Sequence, residues 1–275
     1  MAVIAMTREI GSHGSDVAKG VAAQLGLEII NSEIVVPELA GSMGVEPGVV
    51  QRYLDGNASL FDRWQVDTRK LSRHTLDQVL NLAMKGDVLI RGWGAAALFQ
   101  GIRGVLCVRV CAPMAERVRV MTERVGMTDA EAQQEIERFD AANSRALGAA
   151  FNIDWSDVLL YHVVLNSARV SVDACVRVVC ELARDKRFAD EAATKSALAD
   201  KRLETKVRAK LVENIGSGEM AAIRVVAVNG KIVLDGVTSA GGLAARAVKL
   251  VREIEGVNDV ENCIISVPSH GRPDF

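Results

Sequence analysis

Ala2-Val-Ile-Ala-Met6, Thr7-Arg-Glu-Ile-Gly-Ser-His-Gly14 and Ser15-Asp-Val-Ala-Lys-Gly-Val-Ala-Ala-Gln-Leu25 follow one another without interruption near the start of the chain. The first run is short and apolar, as a buried strand is. The third repeats apolar residues at helical spacing, with Val17, Ala18, Val21, Ala22 and Leu25 on one side. Between them lies a turn carrying Gly11 and Gly14, which have no Cβ and so allow a tight bend and a close approach to a ligand. Strand, glycine turn and helix N-terminus together form a cradle in which backbone N–H groups and the helix dipole favour an anion. Ser15 or Asp16 is the expected N-cap of the helix. The full phosphate-loop motif, G-x-x-x-x-G-K-[ST], is not met. Laid over it, Gly14 falls at the lysine and Asp16 at the magnesium-binding hydroxyl. On spacing alone the run is equally an ordinary strand-to-helix turn of an α/β domain.

A chain of 275 residues, 49% hydrophobic and 25% charged, forms one large domain or a domain with a small module, and can bury a sizeable core. A net charge of −2 offers no polyanion-binding surface, so nucleic acid is not an expected partner. The apolar N-terminal segment is too short for a signal peptide and no run is apolar enough to span a bilayer. Membrane association is therefore not expected. The cysteines, Cys107, Cys111, Cys175, Cys180 and Cys263, are odd in number and lack framework spacing, which suits reduced, mostly buried thiols in a cytoplasmic protein. With four histidines and no CxxC, a protein-held metal site is not expected.

Further along, Gly26 stops the first helix and Leu27-Glu-Ile-Ile30 reads as a second strand, with Asn31 or Ser32 capping the next helix. Residues 45–85 are helical by pattern, with a break at Asp55-Gly-Asn57; Arg52, Arg63, Arg69, Arg73 and His74 lie there, some within reach of a phosphate and most on a solvated face. Val88-Leu-Ile90 is a buried strand with Arg91 at its carboxyl end, where open α/β sheets bind ligands. An arginine there is placed to fork onto phosphate. Gly104 to Pro113 holds another strand, followed by helices over 114–124, with Arg117, Arg119 and Arg124, and over 129–145. Tyr161 to Ser167 is the last strand of this sheet, and Ser171 caps a helix through Ala183.

The opening Ile4-Ala-Met-Thr-Arg-Glu-Ile-Gly-Ser-His-Gly-Ser-Asp-Val-Ala18 resembles the cytidylate kinase-like family of P-loop proteins. Members begin with a strand, then Ser/Thr-Arg-Glu/Gln and a Gly-Ser-Gly-Gly-type loop without lysine; here His13 replaces one glycine. Ile90-Arg-Gly92, the arginine-bearing helix pair and Tyr161-His-Val-Val-Leu-Asn166 follow in the family's order. The resemblance implies a parallel sheet with helices on both faces over residues 1–185. It also implies ATP with Mg2+ as cofactors and a nucleotide substrate held by Gly11, Ser12, His13, Gly14, Ser15, Asp16 and Arg91. Arg8, Arg117, Arg124 and Arg145 would then offset charge on a transferring phosphoryl group. Asn143 stands where the family carries a further arginine, three residues after Asp140.

Residues 186–198 suit a helical linker, and the pattern then changes. Leu203, Val207 and Leu211 mark a helix; Ala221–Val237 is a hairpin about Asn229-Gly230, a favoured type I′ turn; residues 240–254 form a helix and 256–267 end in a strand. This α+β unit over 199–268 resembles the BON domain, in V-V-A-V-N-G-K-I-V-L-D-G and G-V-N-D-V-E-N, and residues 269–275 form a tail. The resemblance implies self-association or a protein partner and no chemistry of its own. The expected function is phosphoryl transfer from ATP to a nucleoside monophosphate, CMP-like. The rivals are a degenerate nucleotide sensor and an inert scaffold.

Overall fold

The computed structural model describes residues 1–54, 68–92, 95–151 and 153–267. The break expected at Asp55-Gly-Asn57, and Arg63, lie outside them. The chain divides into two compact units, Met1–Thr194 and Lys195–Phe275.

The first unit is a five-stranded sheet in the order β2-β3-β1-β4-β5. The strands are β1 (Val3–Arg8), β2 (Glu28–Ile30), β3 (Val88–Arg91), β4 (Val105–Cys111) and β5 (Val163–Asn166). Every pairing in it is parallel. Parallel strands need crossover helices and are covered on both faces, so they read as nearly continuous apolar runs; β1 and β4 are buried along almost their whole length. The crossovers are α1 (Gly14–Leu25), α2 (Ser32–Met43), α3 (Pro47–Leu54), α4 (Thr68–Lys85), the short α5 (Ala95–Leu98), α6 (Met114–Val125) and α7 (Asp129–Phe151); α8 (Val172–Arg184) and the short α9 (Lys186–Ala189) follow the last strand.

Side-chain alternation along β1 divides the core. Ile4 and Met6 join Leu89, Leu106 and Val108 against α1 and α8, through Val17, Val21, Val176 and Val179. The register Met6↔Arg91 puts Arg91 on that same face, and alternation puts Arg8 there too. Both arginines therefore stand at carboxyl ends of central strands on the side of α1.

Two caps follow the sequence reading. Gly26 ends α1 at φ 66, returning its N–H to Ala22, and the Ser171 hydroxyl accepts from Ala174 N–H at the start of α8. One does not. The N-cap of α1 is His13, at φ 55 in the left-handed region, with no side-chain cap bond. The reason is the loop: Gly11 at φ 77 and His13 turn the chain so that the helix begins at Gly14, before either Ser15 or Asp16 can cap it.

The second unit carries most of α10 (Glu191–Ile215), then the short α11 (Ser217–Met220), β6 (Ile223–Val228), β7 (Lys231–Thr238), α12 (Leu243–Arg252) and β8 (Asp259–Ser266). Its sheet runs β6-β7-β8, antiparallel and then parallel. The inner face packs Val225, Ile232, Leu234 and Val260 against Val207 and Leu211 of α10 and Ala247 and Val251 of α12. Asn229 and Gly230 both have positive φ, as a type I′ turn requires. The Asp200 carboxylate accepts both of their N–H groups, at 2.9 and 3.1 Å. No helix among the described residues is long and apolar enough to cross a membrane.

Candidate functional site

The loop from Glu9 to His13 is tied down on one side and open on the other. Ser12, almost fully buried, donates its hydroxyl to Glu9 O and to Val110 O. Ser167, just past β5, donates to Ser12 O at 2.6 Å. These bonds stitch the loop to the carboxyl ends of β4 and β5. On the open side, the N–H groups of Gly11, His13, Gly14 and Ser15 donate to no protein acceptor among the described residues. Unsatisfied N–H groups at a helix start are the donors an anion takes up. A cleft of about 150 Å3 opens over them, bordered by Arg8, the loop, and Val120, Met121 and Arg124 of α6.

Arg8 borders this cleft from the end of β1, and Arg91 stands beside it at the end of β3. Arg91 Nη1 donates to the Ser15 hydroxyl at 3.1 Å. Arg8 lies over the Phe139 ring, 6.0 Å from its centroid. No carboxylate among the described residues pairs with either. Burial, and then the neighbouring charge of Arg91, lower the pKa of Arg8 from its ordinary value. Adjacent guanidiniums without a counter-charge are costly unless an anion joins them. Ser15, not Asp16, is the hydroxyl that directly follows Gly14 at the lysine's place in the loop, which corrects the sequence overlay.

The other arginines expected over the phosphates meet different surroundings. Arg117 is buried and makes a bidentate pair with Asp140, at 2.7 and 2.8 Å, while its Nε donates to Ile10 O. It holds the loop from behind. Arg124, on the border of the cleft, pairs with Asp16 at 2.7 Å. Arg145 is exposed on α7, with no ion-pair partner among the described residues. Asn143 turns its amide back to Phe139 O within the same helix.

A buried cluster that sequence reasoning passed over completes the frame. Glu9 receives Arg109 at 2.6 Å and the Ala112 N–H at 3.1 Å, and lies 3.7 Å from Arg117. Arg109 also donates to Trp155 O and lies against the Trp155 and Tyr161 rings. Burial opposes its charge, but the Glu9 hydrogen bond prevails and the pKa is raised. The signal was present: a lone arginine inside the apolar run Val105–Cys111 must find a partner.

A parallel sheet in this order, whose first strand passes through a glycine turn into a helix N-terminus, defines a P-loop kinase-like domain. The chain belongs to the cytidylate kinase-like family, whose sequence pattern matches residues 3–169; the BON-domain pattern matches residues 199–268. Among its relatives are enzymes named cytidylate kinase. That of Pyrobaculum aerophilum is 26% identical over 178 residues, covering 65% of this chain and 90% of that enzyme. That of Ignicoccus hospitalis is 26% identical over 183 residues, covering 65% and 97%. A solved structure of an uncharacterized protein from Eubacterium ventriosum shares the fold, with a TM-score of 0.53 at 14% identity, over 68% of this chain and all of the other. Membership supports a nucleotide kinase-like function.

Proposed function

We propose that the first unit binds a nucleoside triphosphate at residues 11–16 and transfers its terminal phosphoryl group to a nucleoside monophosphate, CMP-like. The observation that carries this reading is the neighbouring pair Arg8 and Arg91, without a carboxylate, beside a loop of undonated N–H groups. The relatives named cytidylate kinase support the acceptor class. Phosphoryl transfer rests on positioning and charge stabilisation and needs no acid–base dyad. Backbone N–H groups of Gly11, His13, Gly14 and Ser15 orient the donor phosphates, and Arg8 and Arg91 offset their charge bidentately, as a single lysine does not. Arg124, at the cleft mouth, is within the same enclosure. The Ser15 hydroxyl and the Asp16 carboxylate are hard oxygen donors of the kind Mg2+ takes; they would hold the ion, which would supply positive charge to the phosphates.

The test is ADP release with ATP and Mg2+ over a panel of nucleoside monophosphates, with CMP expected to be the fastest acceptor. A second reading, a nucleotide sensor without turnover, draws on the commitment of Arg117 to Asp140 and of Asn143 to Phe139 O. Binding with no ADP release for any acceptor favours it. In either reading the second unit is a docking module for self-association or a protein partner. Its outer sheet face leaves Val237, Ile265 and Val267 exposed. Sedimentation of the full chain and of residues 1–194 tests this, and an unchanged oligomeric state and partner binding on deletion contradict it.

A further inference from the structure

Arg124 borders the phosphate cleft and pairs with Asp16, the residue after the cleft-lining Ser15. Arg124 Nη2 lies 2.7 Å from Asp16 Oδ2 and 3.1 Å from His13 Nδ1. His13 Nδ1 is itself 3.2 Å from Asp16 Oδ2, and Glu116 is 4.0 Å from the other ring nitrogen. The pair spans two elements, joining the first turn of α1 to the last turn of α6. The carboxylate stands at the positive end of α1, where an incoming phosphate would also sit.

An anion that enters this cleft meets both charges. If it draws Arg124 to itself, Asp16 is left as an unpaired negative charge beside it. Like charges at that separation oppose binding. A divalent cation carried in with the anion removes the conflict, since Asp16 then faces positive charge. We propose that the Asp16–Arg124 pair is a latch that sets the selectivity of this site, admitting magnesium-complexed polyphosphate and resisting the bare anion. The proposal rests on the reading of residues 11–16 as a phosphate site. Its content is distinct: Asp16 is a specificity-determining residue, and its removal strengthens binding of bare anions.

The experiment is calorimetric titration of the full chain with inorganic tripolyphosphate, with and without Mg2+, for the wild type, Asp16→Asn and Arg124→Gln. Asp16→Asn keeps the side-chain size and removes the charge. It is expected to tighten bare tripolyphosphate about tenfold and to shrink the advantage given by Mg2+. Arg124→Gln, at a half-exposed position, is expected to do the reverse: weaker binding of the bare anion and a larger Mg2+ advantage. Opposite signs separate a latch from general damage to the loop, and thermal melting checks that both variants fold. If Asp16→Asn does not fold, the Arg124→Gln result decides. Wild-type binding with an unchanged Mg2+ advantage in the folded variants overturns the latch and leaves the phosphate site standing. No binding of either form by the wild type or by Asp16→Asn overturns both.

Discussion

Arginines of one type meet opposite fates within this unit. Arg117 is enclosed and answered by Asp140, whereas Arg8 and Arg91 stand together unanswered. Removing one member of a buried pair costs about 3–5 kcal/mol, at the lower end here because Arg117 keeps Glu9 at 3.7 Å. Asp140→Ala should therefore lower unfolding free energy by about 3 kcal/mol in urea denaturation. A loss below about 1 kcal/mol would class the pair with exposed surface bridges. Cys107 illustrates the opposite case, a group kept neutral. It is fully buried in β4, and burial pushes its thiol from 9.0 up to about 12. Below pH 9 the thiol is protonated in both the folded and the unfolded chain. Between pH 9 and 12 the unfolded chain releases this proton and the folded one keeps it, so stability falls as pH rises. The slope is about 1.4 kcal/mol per pH unit, and Cys107→Ala should lack it. Identical alkaline slopes for the two proteins would refute this.

At the scale of the element, the loop between β1 and α1 is held by close packing as much as by bonds. A Cβ on Gly11 would fall 2.6 Å from Arg117 O and 2.9 Å from Arg117 Cα, at a φ of +77 that side chains rarely adopt. Both neighbours are backbone, so Gly11→Ala must lift the loop off α6. The variant should lose anion binding and melt several degrees lower, measured by titration and circular dichroism; wild-type affinity would show that the loop has slack. Gly104 is held as tightly, with Thr194 Oγ1 only 1.8 Å from its ideal Cβ. The elements themselves were legible because their signals are local. Unbroken apolar runs mark β1 and β4, period-3.6 repeats mark α1 and α8, and Asn229-Gly230 marks the hairpin. The site was legible only in outline. Gly11 to Asp16 and Arg91 do come together, but which arginines are free depends on contacts across the fold. Asp140 reaches Arg117 over 23 positions and Glu9 reaches Arg109 over 100, and no spacing rule encodes either. The N-cap was misplaced for a related reason: the left-handed turn at His13 is set by the packing of Gly11 on α6.

At the scale of the whole molecule, two units with separate cores are carried on one chain. Near their boundary the backbone is helical over Lys186–Ala189 and again from Glu191, leaving Asp190 as the break. Helical backbone resists proteases, so cleavage should begin at the exposed residues around that break rather than inside α10. Limited trypsin digestion should cut after Lys186 or Arg187 and yield a C-terminal fragment beginning at residue 187 or 188 that still unfolds cooperatively. First cuts within residues 105–166 would contradict two independently folded units. The domain limits we propose, 1–185 and 199–268, are checked by the same digest. In the first unit, we propose, Arg8 and Arg91 stand in for the missing lysine. Charge-assisted hydrogen bonds contribute about 1.5–3 kcal/mol each, and about 1.4 kcal/mol is tenfold in affinity. The most direct measurement is calorimetric titration of the wild type and Arg91→Ala with ATP, CTP and CMP in the presence of Mg2+. The account predicts saturable binding by the wild type, weakened roughly ten- to a hundredfold in Arg91→Ala at unchanged melting temperature. No heat from the wild type at millimolar nucleotide, or equal affinity in the two proteins, would contradict it.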